Sequence, residues 1–265
     1  MFTAISRRRL FGLTTAAICP FCTTAWSAEP AHGEAAHAEG APPHWDYEGE
    51  AGPTHWGELS ADFRTCSLGT EQTPIDLRGA IKAQTGAVGI AYQKMPLIVL
   101  NNGHTIQVNT PPGGKLQIAG TEYELSQFHF HHPSEHLLAG KTFDMELHFV
   151  HKAASGALAV VGVFIQPGAA NSGLAPIWAA MPREETPARV VEGVTIDPSS
   201  LLPKTRGYYR YMGSLTTPPC SEGLIWTVFR SPIQASPEQI RQFAALFPHN
   251  ARPVQSINRR FLLES

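Results

Sequence analysis

Two short segments carry the residues best suited to metal chemistry. One is Gln127-Phe128-His129-Phe130-His131, the other Glu146-Leu147-His148-Phe149-Val150. Successive side chains of a β-strand point to opposite faces. Read as a strand, the first segment puts Gln127, His129 and His131 on one face and Phe128 and Phe130 on the other. The second groups Glu146, His148 and Val150. Residues 132–145 are long enough for a hairpin-like return, so the two strands can aim three imidazoles at one point. Three neutral nitrogen ligands with an open fourth position make a catalytic zinc site, whereas four protein ligands make a structural one. A zinc-bound imidazole usually donates its other N–H to an acceptor. Gln127 and Glu146 each stand two residues before a candidate ligand and can serve. Taken alone, a His-x-His is weak evidence in a chain with 12 histidines, because strand histidines also occur as hydrogen-bonded core residues. His132 follows His131, points to the opposite face, and is not counted as a ligand.

The rest of the chain must supply the frame. From Trp45 onward, short apolar runs are separated by Gly, Pro and Asn. They include Leu97–Leu100, Thr105–Asn109, Lys115–Ile118, Glu122–His131, Asp144–His151, Leu158–Ile165 and Gly223–Phe229. This spacing predicts many β-strands. The best helix signal is Ser236-Pro237-Glu238-Gln239, with Ile240, Phe243 and Leu246 following. It combines an N-cap Ser, Pro at the first position and Gln at the third. The chain shows no internal repeat. The expected fold is mainly β (β-rich α+β), one domain around a large, mostly antiparallel twisted sheet with a few short peripheral helices. The 265 residues, 43% apolar and 16% charged, suffice for one large core and do not demand two. A net charge of -2 without a basic run gives no reason to expect nucleic acid.

The N-terminus differs. Arg7, Arg8 and Arg9 precede an apolar stretch from Leu10 to Cys22, and Ala25 and Ser27 place small residues two apart. Residues 1–27 therefore read as a secretory signal peptide, too short for a membrane span. Ser6-Arg7-Arg8 with Leu10-Phe11 also resembles the twin-arginine export pattern, an ordinary arginine-bearing leader being the alternative. Cleavage removes three positive charges and leaves about -5. It also removes Cys19 and Cys22, whose spacing would otherwise suggest redox chemistry. Residues 28–43, rich in Ala, Gly, Pro and Glu, read as a flexible arm that includes His32 and His37. Residues 44–265 then form the folded domain. Cys66 and Cys220 remain, and two cysteines in an exported chain favour a disulfide over two buried thiols. A loop of roughly 150 residues would make that bridge worth at most about 5 kcal/mol in the chain-entropy view.

Several segments, in order, resemble the α-carbonic anhydrase family. They are QFHFH, SEH (Ser134–His136), ELHFVH (Glu146–His151) and GSLTTPP (Gly213–Pro219). Upstream stand Trp45, Tyr47, His55, Trp56, Gln72-Thr73-Pro74-Ile75-Asp76 and Asn101-Asn102-Gly103-His104. Downstream stand Asn250-Ala251-Arg252-Pro253 and Asn258-Arg259. The likeness spans residues 44–262. The short connection from His131 to SEH resembles bacterial members, and Cys66 and Cys220 resemble the disulfide of members outside the cytoplasm.

That resemblance implies a sheet of roughly ten strands and a zinc lyase, held by His129, His131 and His148, that hydrates carbon dioxide reversibly to bicarbonate and a proton. A zinc-bound hydroxide is the implied nucleophile, with Thr216 accepting its hydrogen and donating its own to Glu135. Val150, Val160, Leu215 and Trp226 would line the substrate pocket, with Thr217 contacting bicarbonate. His104 would shuttle the proton along water ordered by Tyr47, Asn102 and Gln107. His136 and His151 match buried structural histidines. Export to the periplasm or beyond, no membrane span in the mature chain and a homodimer complete the expectation. Three rivals are an esterase using the same zinc centre, a non-catalytic binding module on the scaffold, and a zinc carrier using the histidine-bearing arm.

Overall fold

Alternation between two faces governs most of the sheet. The structure is a computed structural model describing residues 43–265. The expected signal peptide, nearly all of the arm, Cys19 and Cys22 lie outside the described residues. The first strands are β1 (Asp76–Leu77), β2 (Ile81–Lys82), β3 (Gly89–Ala91), β4 (Met95–Asn101) and β5 (Ile106–Asn109). Then come β6 (Lys115–Ile118), β7 (Thr121–His131), β8 (Leu137–Leu138), β9 (Met145–Ala153) and β10 (Leu158–Pro167). The last are β11 (Thr186–Ile196), β12 (Tyr208–Ser214), β13 (Glu222–Ala235) and β14 (Leu263–Glu264).

Twelve strands form one sheet. Ten run in the order β11-β4-β5-β7-β9-β10-β13-β12-β14-β2, with β6 on β7 and β3 on β6. All neighbours are antiparallel except β10–β13 and β14–β2. The strands β1 and β8 form a separate parallel pair. The helices are short: α1 (Trp56–Leu59), α2 (Thr65–Leu68), α3 (Ala175–Ala180) and α4 (Pro237–Ala244). The expected mainly β architecture is thus the one observed.

The strand faces separate as the sequence requires. Phe128 and Phe130 of β7 and Leu147 and Phe149 of β9 are fully buried in the larger core. There they meet Ile177 and Trp178 of α3 and Ile240 and Phe243 of α4. Burying each phenylalanine contributes about 1.5–3 kcal/mol. The opposite face carries the histidines and a smaller core of Val160, Phe164, Tyr211, Trp226 and Val228. Helix α4 begins as its sequence predicts. The Ser236 hydroxyl oxygen accepts the Gln239 N–H, and Gln239 Oε1 accepts the Ser236 N–H.

Two features lay outside the apolar runs. The sheet-edge strand β11 is exposed along most of its length, contains Pro187 and Gly193, and slips register twice against β4. Such a strand has no buried face to impose a period; pairing with β4 makes it a strand. The strand β13 continues past Phe229 to Ala235. Val163 pairs with Phe229 but Ile165 with Ile233, so extra residues are accommodated around Pro232, which cannot donate to a ladder.

Near the amino-terminal end of the described chain, Tyr47, Trp56, Phe63, Cys66 and Cys220 pack together. Cys66 and Cys220 form the expected disulfide, 154 residues apart in sequence. Among the described residues, no helix is long and apolar enough to cross a membrane.

Candidate metal centre

The ladder between β7 and β9 sets His129 directly opposite His148. His131 lies two residues further on the same face. A nitrogen from each of the three rings lies within 4.8 Å of one from either of the others. His131 and His148 are buried, while His129 is partly open.

Each ring has one nitrogen beside an acceptor, hydrogen-bonded for His129 and His131. His129 Nδ1 bonds Gln127 Oε1 at 2.8 Å. His131 Nδ1 bonds the Asn250 carbonyl at 2.7 Å. His148 Nε2 lies 3.0 Å from Glu146 Oε1, off the line of a straight hydrogen bond. The nitrogens left over are Nε2 of His129, Nε2 of His131 and Nδ1 of His148. Buried His131 Nε2 has no hydrogen-bond partner, a state that costs about 1–3 kcal/mol unless something satisfies it. Burial, reinforced by the neighbouring imidazoles, pushes the His129 pKa well down. Burial also lowers His131, against the pull of Glu135. Neutral imidazoles are what a metal ligand must be. The donor set therefore fits zinc, with acceptors behind it that fix ring orientation.

Glu146 does more than back His148. Its Oε2 accepts the His136 N–H at 2.8 Å and its Oε1 bonds His136 Nδ1 at 2.7 Å. Burial alone would raise this carboxyl, but His136 and His148 outweigh it and hold the pKa well below the usual range. His136 Nε2 shares a 2.7 Å hydrogen bond with the Tyr211 hydroxyl. His136, Glu146 and His148 also stand close enough to hold an ion, but both His136 nitrogens are already bonded within the protein. That cluster is a hydrogen-bonded support, consistent with the expected structural role of His136. Gly162 of β10 faces His148, and a Cβ there would come within 3.1 Å of Glu146 Oε1 and 3.2 Å of Val228. The glycine in a valine-rich strand was the signal of this close approach.

Glu135 sits beside the triad. Its Oε2 is 3.5 Å from His131 Nε2 and 3.7 Å from His148 Nδ1. Oε1 accepts the Arg252 N–H at 2.9 Å, while buried Oε2 has no hydrogen-bond partner. The expected bond from Thr216 is therefore not made in this structure. Thr216 is buried on the loop between β12 and β13. The four expected pocket residues do come together: Val160 and Trp226 belong to the smaller core, and Val150 and Leu215 pack against it. Thr217 accepts the Cys220 N–H through its carbonyl at 2.9 Å.

His104 lies on the loop between β4 and β5. Half-buried, its ring stacks on Trp45 with centroids 3.7 Å apart. Burial lowers its pKa, Asp46 and Glu185 pull it up and His44 pulls it down. Asn102 Oδ1 accepts the N–H groups of His104 and Thr105. Gln107 Nε2 donates to Asn109 Oδ1 at 2.7 Å. Tyr47 is buried, and burial, with Glu135 and Asp46 nearby, raises its phenol pKa well above the usual value. His132 bonds the Pro248 carbonyl through Nδ1 and takes no part in the triad. A cavity of about 880 Å³ bordered by Arg210, Met212, Arg260 and Phe261 lies elsewhere and is lined by none of the histidines.

Residues 51–265 match the family described as eukaryotic-type carbonic anhydrase. A carbonic anhydrase of Nostoc sp. is 49% identical over 226 residues, covering 83% of this chain and 86% of that protein. One from Pectobacterium carotovorum is 47% identical over 221 residues, covering 83% and 90%. Among solved structures, the α-carbonic anhydrase of Thermovibrio ammonificans with the inhibitor sulfanilamide superposes with a TM-score of 0.82 at 44% identity. That match covers 84% of this chain and 100% of that one.

Proposed function

The chain belongs to the carbonic anhydrase family, whose members are zinc lyases, and from that premise we propose that His129, His131 and His148 hold the zinc for carbon dioxide hydration. The observation that carries this reading is a pair of unpartnered buried atoms, His131 Nε2 and Glu135 Oε2, 3.5 Å apart where the three imidazoles converge.

Bound zinc supplies Lewis acidity that brings the pKa of water to about 7, the value known for carbonic anhydrase itself. The chain's own residues do the rest. Gln127, the Asn250 carbonyl and Glu146 hold the three rings in their orientation. Glu135 Oε2, as an ionised carboxylate, can only accept; unpartnered here, it would accept a hydrogen bond from the Thr216 hydroxyl once the two close up, which would leave the Thr216 oxygen as an acceptor toward the metal site. The Arg252 N–H fixes the other carboxylate oxygen, so Oε2 keeps its aim. Val150, Val160, Leu215 and Trp226 give a small apolar substrate a place from which water is excluded. Thr217 contacts the product. His104 takes the released proton and passes it to buffer, which a neutral imidazole, held below its ordinary pKa by burial, can do. Tyr47, Asn102 and Gln107 line that route.

The disulfide and the bacterial relatives are consistent with an exported protein; the leader at residues 1–27 is the proposed route to the periplasm. The test is hydration of carbon dioxide by the zinc-loaded protein, the chelated protein and the reloaded protein. Activity should follow the metal. A zinc-loaded protein without turnover would leave the zinc carrier as the reading.

A further inference from the structure

We propose that the side-chain carboxamide of Asn250 is a positioning group that locks the His104 loop to the metal-ligand strand, so that proton export depends on it. The inference rests on the shuttle role assigned to His104 above.

Asn250 belongs to the irregular segment after α4 and is 1% exposed. Its backbone serves the metal centre. The carbonyl accepts from His131 Nδ1, and its N–H donates to the His132 carbonyl at 3.0 Å. Its side chain makes a different set of bonds. Nδ2 donates to the His104 carbonyl at 2.9 Å and to the Phe130 carbonyl at 3.0 Å. Oδ1 accepts the His132 N–H at 2.7 Å. Phe130 stands between two zinc ligands. One buried carboxamide thus ties the residue proposed to carry protons to the strand proposed to hold the metal.

The other contacts of the loop do not reach the metal-ligand strand through His104 itself: its ring stacks on Trp45, and Asn101 Oδ1 accepts the Gly103 N–H. Asn102 caps only its own turn. Gly103, immediately before His104, has φ +84° and is exposed, which gives the loop backbone freedom. The second external tie is Thr105, whose hydroxyl donates to the same Phe130 carbonyl at 2.5 Å. A carbonyl oxygen has two lone pairs and can serve both donors. Removing the carboxamide would leave the His104 carbonyl and the His132 N–H without these partners. The His104 loop would then be held through its flanking strands, the Thr105 hydroxyl and the stacking of the His104 ring on Trp45, with no side-chain tie left on the His104 backbone from the metal-ligand side. Transfer rates are steep in distance and alignment, so the proton step should feel the change first.

The test measures carbon dioxide hydration by the zinc-loaded full chain at low buffer, with imidazole added stepwise, and zinc affinity by chelator competition. In Asn250→Ala, kcat at low buffer should fall about tenfold and recover with imidazole. kcat/KM, which does not include proton export, should fall less than about threefold. Zinc affinity should weaken less than about tenfold, since the backbone carbonyl behind His131 remains. Equal losses in kcat and kcat/KM with no recovery by imidazole would mean a merely structural role and overturn the inference. Asn250→Asp keeps the shape and the acceptor for His132 but loses the donors. It should show the same imidazole-reversible loss if the alanine variant does not fold, and an unchanged kcat would again overturn it. His104→Ala is run in parallel. If His104→Ala leaves low-buffer kcat intact, the shuttle assignment fails and the inference with it. If only the Asn250 variants leave it intact, the inference alone fails.

Discussion

His148 and His151 stand three residues apart on β9, both buried, yet they do opposite things. They point to different faces. His151 bonds the Tyr92 hydroxyl through Nε2 at 2.7 Å and the Ala159 carbonyl through Nδ1 at 3.2 Å. Both its nitrogens are spent inside the protein. His148 has Glu146 beside Nε2, but its Nδ1 lies 3.7 Å from Glu135 Oε2, the oxygen that also stands 3.5 Å from His131 Nε2. His136 follows His151, with both nitrogens bonded, and His131 follows His148, with Nε2 unpartnered. A buried histidine is therefore not a ligand because it is buried. It is a candidate ligand when one nitrogen is held and the other is left free toward its neighbours.

The strongest way to break this comparison is to remove one histidine from each class. His148→Ala should lose zinc by metal analysis and lower hydration by about a thousandfold or more, since the Lewis acid itself is lost. His151→Gln should keep full zinc content and activity within about threefold, because its ring touches neither metal nor substrate. Zinc retained by His148→Ala would remove it as the third ligand.

A second effect belongs to His151 alone. Burial lowers its pKa from 6.5 to about 4, the bonds to backbone carbonyls opposing only in part. Above pH 6.5 the ring is neutral in both the folded and the unfolded chain, and the full stability is present. As pH falls below 6.5, the unfolded chain takes up a proton that the folded chain refuses. Stability is then lost down to about pH 4, where the folded ring protonates too. The loss is about 3 kcal/mol. Unfolding free energies from denaturant titrations at pH 7 and pH 4.5 should fall less for His151→Gln than for the parent, by about 2–3 kcal/mol. An identical acid loss in the two proteins would show that His151 is not the group being titrated.

The same contrast explains what the sequence could reveal. Strand alternation placed Gln127, His129 and His131 together, and Glu146 with His148, because side-chain direction follows from position alone. Both acceptors at i-2 were legible for that reason. The third acceptor was not. It is the carbonyl of Asn250, 119 residues from His131, and a backbone group leaves no mark of its kind in a sequence. The Asn250–Pro253 segment stands out in the sequence only through its family resemblance. Glu135 and Thr216 were likewise named by resemblance, and the folded chain leaves Glu135 Oε2 without the Thr216 hydroxyl. The edge strand β11 was illegible because it buries too little to impose a period. The mainly β frame and the α4 capping box were legible because burial pattern and cap chemistry are local.

The smallest expected effect sharpens the comparison within the triad itself. His129 is the most open of the three ligands, and its acceptor Gln127 is only partly buried. His131 and His148 are backed by the buried Asn250 carbonyl and buried Glu146. Removing Gln127 therefore lets water reach His129 Nδ1 and accept its proton, which partly restores the orientation. Loss of such an outer acceptor generally weakens metal affinity by about 10–100-fold. Gln127→Ala should fall at the low end, about tenfold, by chelator competition. Glu146→Ala removes the partner of both His136 and His148 where water has little access, and should fall at the high end. Equal losses in the two variants would show that burial of the acceptor does not set its worth. The counting of nitrogens would then be sufficient without the counting of what stands behind them.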